Sequence, residues 1–111
     1  MNKEHELKLR PQDRTEFIKA ARRLKRSFAN SVDNTEGRFD ALDREESRNP
    51  NLGSILERRK GAVLVARTTT SFEIDRAWEN GRISSPTSHF LGRALDKWAE
   101  KSVKQVAKKL H

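Results

Sequence analysis

"GAVLVARTTTSFEIDRAWENG" (residues 61–81) is the stretch on which the fold class turns. It is rich in β-branched residues, which favours a strand over 62–70 followed by a helical turn over 72–80. The rival is one helix running through the whole segment. It would place Val63, Ala66, Thr70, Ile74, Ala77 and Trp78 roughly on one side. Periodicity leaves both open in so short a run, and residue type tips the reading to the strand. On that reading the chain is α+β and helix-rich, a single domain over residues 1–111.

Downstream, "ENGRISSPTS" (79–88) reads as a hinge. Gly81 suits a left-handed turn, and Pro86 blocks helix continuation. Ser88, or Thr87, then caps a long amphipathic C-terminal helix. Its apolar stripe is Leu91, Leu95, Trp98, Val103, Val106 and Leu110, with Ala94 and Ala99 filling in. Lys97, Lys101, Lys104 and Lys108 form a second stripe at four-three-four spacing. Gly92 in the first turns costs roughly 1 kcal/mol against Ala, which suggests a close approach by another backbone. Large apolar residues are scarce, so Trp78 is expected to fold back against Leu91, Leu95 and Trp98. Trp78, Phe90, Leu91 and Trp98 are the candidate interface anchors.

Upstream, "HELKLRP" (5–11) reads as a short edge strand stopped by Pro11. "DRTEFIKAARRLKRSFANSV" (13–32) is an amphipathic helix, with Asp13 as cap and Glu16 in capping-box position. Phe17, Ala20, Ala21, Leu24 and Phe28 make its apolar stripe. The middle is irregular: "NTEGRFD" and "SRNPNLG" read as turns. Phe39 with Leu42, and Leu52 with Ile55 and Leu56, each anchor a short helix.

The chain has 111 residues, of which 33% are hydrophobic and 36% charged, with mean hydropathy −0.94. Its core is therefore expected to be thin, or completed by neighbours. A net charge of +8 points to an anionic partner, either nucleic acid or an acidic protein surface. Residues 1–30 hold nine basic and four acidic groups, whereas 31–56 hold three and six. Basic ends flanking an acidic middle invite head-to-tail association. The absence of cysteine excludes disulfides and thiol chemistry. No signal-peptide pattern or membrane-length apolar run is present, so no membrane contact is expected.

Chemistry has little footing. His5, His89 and His111 share no metal-ligand spacing. Asp43, Glu45 and Glu46 read as a solvated acidic face. No phosphate loop, nucleophile elbow or zinc-protease motif occurs, and no acid–base pair converges as a small ribonuclease would require. No cofactor, metal or small-molecule substrate is expected. The basic clusters, Arg22, Arg23 and Arg26 on one helix and Lys97, Lys101, Lys104 and Lys108 on the other, could track phosphates. The simpler account is a solvated face. Neither cluster mixes in the Asn, Gln and Ser of a base-reading helix, and Phe17 and Phe28 lie on the apolar stripe rather than on a stacking platform.

"AWENGRISSPTSHFLGRALDKWAEKSVKQVAKKL" (77–110) resembles the C-terminal part of the small tail-completion (neck) proteins of long-tailed phages. The matching positions are Trp78, Glu79 and Gly81, then Phe90, Leu91, Ala94 and Leu95. His89-Phe90 stands where that family has Pro-Phe, and residues 33–60 lack its Ala-Pro-x-x-Thr-Gly segment. The resemblance implies an α+β fold and a non-enzymatic structural role in the virion. It further implies assembly in the host cytoplasm, as a homo-oligomeric ring among other virion proteins at the head–tail junction. "VLVARTTTSFEIDRAWENG" (63–81) also resembles the "ARTE" helix of the longer Mu-type minor head proteins. The alternative reading is a small nucleic-acid-binding protein making non-specific DNA contact through both basic clusters.

Overall fold

The computed structural model describes residues 9–46 and 52–109. It contains α1 (Pro11–Glu46), α2 (Leu52–Glu79) and α3 (Ser85–Lys109), each packed on both others. No strand occurs among the described residues, so the α+β expectation is overturned. The expected edge strand over 5–10 lies outside the described residues but for Leu9 and Arg10, which have no regular structure.

The expected strand over 62–70 is the middle of α2. Ala62, Val63, Ala66, Thr70 and Ile74 are buried while Leu64, Val65 and Phe72 are exposed. Burial at steps of three and four is helical; a strand would bury alternate residues. Thr68 and Thr69 donate their hydroxyls to the Leu64 and Val65 carbonyls, at 3.1 and 3.0 Å, a bond that helix geometry offers threonine. The β-propensity scale spans only about 1 kcal/mol, and packing against two neighbours outweighs it.

α1 opens at Pro11, where the sequence suggested a stop. Proline at the first helical position forfeits nothing, because the first N–H groups of a helix have no partner. Asp13 is not the cap. It lies buried in the first turn and accepts from Arg10 Nε at 2.9 Å. The helix also runs straight through the expected turn at "NTEGRFD". Gly37 costs about 1 kcal/mol there. The turn is held on α2 by Arg59, whose Nη1 reaches Asp33 at 3.0 Å and also Glu36, and by Phe39 packed at Gly61 and on the core. Phe39 and Leu42 thus continue α1, and Leu52, Ile55 and Leu56 open α2, in place of separate short helices. Of the expected "SRNPNLG" turn, residues 47–51 lie outside the described residues.

α1 and α2 are antiparallel, since Ser27 meets Glu73 while Asp33 meets Arg59. Arg67 and Asp96, at 2.8 Å, tie α2 to α3. The 36 residues of α1 span about 54 Å at 1.5 Å each and set the 53 Å long dimension. The core is thin, as composition suggested: the nine buried hydrophobics among the described residues include Ala62, Ala66 and Ala99. Its aromatic edge is built from Phe28 against Trp98, ring centres 6.4 Å apart, and Phe17 edge-on to Phe90 at 6.0 Å.

α2 ends as its sequence suggests. Gly81 takes φ +71°, its N–H bonds the Trp78 carbonyl, and the Arg82 N–H bonds the Ala77 carbonyl. This pair of bonds is a Schellman closure. The cap of α3 is Ser84, not Thr87 or Ser88. Ser84 Oγ accepts from the Thr87 N–H at 3.3 Å, and Pro86 sits harmlessly in the first turn. In a capping box the third helical residue returns a carboxylate to the cap's own N–H. Here Glu16 of α1 does so, its Oε1 lying 2.7 Å from Ser84 N. That bond, then one from the Thr87 hydroxyl, hold the Glu16 carboxyl below its ordinary range against the opposing effect of burial. One side chain thereby fixes α1 to the α2–α3 turn.

Two further expectations are corrected. Trp78 does not fold back on α3; it is 51% exposed. The buried run Val63, Ala66, Thr70, Ile74 continues through the half-buried Ala77, and Trp78 points about 100° further round the helix. Gly92 meets no close neighbour, for a Cβ built there would find nothing within 4 Å.

Candidate nucleic-acid interface

Because α1 does not stop at residue 32, its cationic face is longer than the sequence reading allowed. Lys19, Arg22, Arg23 and Arg26 continue at helical spacing through Asn30 and Asn34 to Arg38. All of these line one groove of about 820 Å³ between α1 and α2, with Val65 and Thr69 on the opposite wall. From Lys19 to Arg38 the stripe is about 28 Å long at 1.5 Å per residue. Ser27, Ser31 and Thr35 lie along its inner edge. The Asn and Ser that looked absent from the basic cluster are therefore present one to three turns further on.

Among the described residues no carboxylate lines this groove. The acids nearest in sequence, Asp33 and Glu36, are drawn to Arg59. Glu73 stands at the edge, accepting from Ser27 Oγ at 3.4 Å. The stripe thus presents five cations and several neutral donors to solvent, a lining suited to a row of phosphates.

Arg22, Arg23 and Arg26 therefore meet in one groove, joined by Lys19 and by Arg38, which the sequence reading missed. Its signal was the step of four from Arg26 through Asn30 and Asn34, hidden by reading Gly37 as a turn. Lys97, Lys101, Lys104 and Lys108 do not join them. They are exposed on the outer face of α3, where Lys104 pairs with Glu100 at 3.4 Å.

Of the anchor candidates, Leu91 is wholly buried and Trp98 packs on Phe28, so both serve the core. Phe90 is half-buried between Phe17 and the exposed His89. Only Trp78 stands free, and the exposed Phe72 on the same helix went unread.

His5 and His111 lie outside the described residues. Among the described residues no group of three His, Cys, Asp or Glu is placed to hold a metal ion. None of the described helices is long and apolar enough to cross a membrane. No protein-family model, curated protein or solved structure matches the chain.

Proposed function

We propose that the chain is a non-enzymatic module that binds the sugar–phosphate backbone of nucleic acid along the α1–α2 groove. Five cations, against no carboxylate among the described residues of the groove lining, carry this reading. Arginine dominates them, and its planar fork matches phosphate oxygens. Asn30, Asn34 and the Ser27–Ser31 edge add neutral donors that hold register without adding charge. Fluorescence anisotropy with a labelled oligonucleotide across a salt series tests it. Affinity should fall steeply with salt, by a log–log slope of roughly 0.7–0.9 for each phosphate neutralised. No binding at low salt would refute it.

A second reading, a structural subunit of a phage particle, draws on a different observation. Phe72 and Trp78 stand 68% and 51% exposed in a chain with only two Trp and five Phe. Exposed aromatics of this kind commonly anchor interfaces. The resemblance behind this reading implied an α+β fold, and the fold found is helical, so it now rests on those two side chains and the basic–acidic–basic charge order. Mass measurement in solution across salt concentrations tests it. A monomer at every salt and concentration would count against it.

A further inference from the structure

Beside the groove lies a second hollow of a different character, about 450 Å³ in volume, at the end where α2 turns into α3. The two share Lys19 and Arg23, so one leads into the other. The second has an apolar lining of Ala20, Leu24, Ala77, Ile83 and the buried Leu91. Arg76 and Arg82 join Arg23 in lining it, with Asn80 beside them. It also holds two carboxylates, Glu16 and Glu73, where the described lining of the groove has none.

We propose that this hollow receives an unstacked nucleobase, which makes single-stranded nucleic acid the ligand class of the groove. The inference rests on the backbone-binding reading above. The linings separate the two spaces. The groove offers phosphates cations and polar donors, whereas the hollow adds an apolar wall and sets Glu16 and Glu73 against part of the charge of Lys19, Arg23, Arg76 and Arg82. An uncharged heterocycle uses that apolar wall, which a phosphate cannot. It also gains guanidinium planes on which a base can stack, and acceptor and donor groups in Glu73 and Asn80 for its edges. The volume falls within the usual range of small-ligand sites, about 300–1,000 Å³. A base in a duplex would have to unpair and unstack before entering.

The test compares three short labelled probes on the unmodified protein at low salt: a single strand, an abasic strand of equal length and charge, and the duplex of the same sequence. The single strand should bind roughly tenfold or more tightly than the abasic one, the scale of one base stacked on a protein surface, and more tightly than the duplex. Ala77→Leu, which intrudes on the hollow, should bring the single strand down to the abasic level and leave the abasic strand unchanged. Equal binding of single and abasic strands would overturn the base pocket while leaving the groove reading intact. Tighter binding of the duplex would do the same. Binding of none of the three would remove the groove reading and this inference together.

Discussion

The α1–α2 groove and the outer face of α3 each carry four or more cations at helical spacing, yet they are different surfaces. In the groove the cations are mostly arginines on a concave wall, with no carboxylate among its described residues and with Asn and Ser interleaved. On α3 they are four lysines on a convex face, and Glu100 is paired with one of them. Lysine keeps its hydration and its freedom on such a face, and exposed pairs are worth about 0–1 kcal/mol. A groove lets several cations meet one backbone at once; a convex stripe does not. Count and spacing of charge are alike in the two regions, and curvature and counter-charge separate them.

The sharpest way to break this comparison is to neutralise each surface in turn. Arg22→Gln, Arg26→Gln and Arg38→Gln together should lower oligonucleotide affinity by two orders of magnitude or more at low salt. The salt slope should become shallower by roughly 2–3. Changing Lys97, Lys101, Lys104 and Lys108 to Gln should alter affinity by less than about threefold, as expected for a screened solvated face. Anisotropy titrations on the two variants decide it, and equal losses would erase the distinction.

A smaller effect is expected where the two regions are joined. Glu16 ties α1 to Ser84 at the head of α3, and its carboxyl is held below its ordinary range by that bond. The native state therefore favours the charged form. Its stabilisation is complete above the ordinary carboxylate range and is lost as pH falls through the depressed native value. Glu16→Gln should lower stability on the order of 1 kcal/mol at neutral pH, and the difference should close in acid. Denaturation midpoints measured from neutral to acid pH check this; a gap independent of pH would contradict it.

Gly92 sharpens the contrast from the α3 side. With open space at its Cβ, Gly92→Ala should raise stability by up to about 1 kcal/mol and leave oligonucleotide affinity unchanged. Gly81→Ala, at φ +71°, should instead destabilise. Smallest of all is Trp78→Ala: with its side chain half in solvent, thermal stability should shift by no more than about 0.5 kcal/mol. A sharp fall would restore the expected packing against α3.

Much of α3 was legible because its buried residues are large and regularly spaced. Leu91, Leu95, Trp98 and Val103 lie on the core side as read, and the lysines lie outside. The Phe17–Phe28 stripe and the left-handed Gly81 were legible for the same reason, each being a strong local signal. α2 was not. Its buried face is built from Ala62, Val63, Ala66 and Thr70, while Leu64, Val65 and Phe72 face solvent, so neither size nor polarity marks the inner side. The second half of α1 was hidden by Gly37, a local turn signal overridden by the distant Arg59 and Gly61 contacts. With that half went Arg38 and the full length of the groove.

The central claim is that nucleic acid lies along α1 and not along α3. Backbone amide shifts recorded while a short single-stranded oligonucleotide is titrated into isotopically labelled protein test it most directly. The account predicts progressive perturbation at Lys19, Arg22, Arg26, Asn30, Asn34 and Arg38, facing Val65 and Thr69, with Lys97, Lys101, Lys104 and Lys108 unmoved. Perturbation confined to the α3 lysines, with α1 silent, would contradict it.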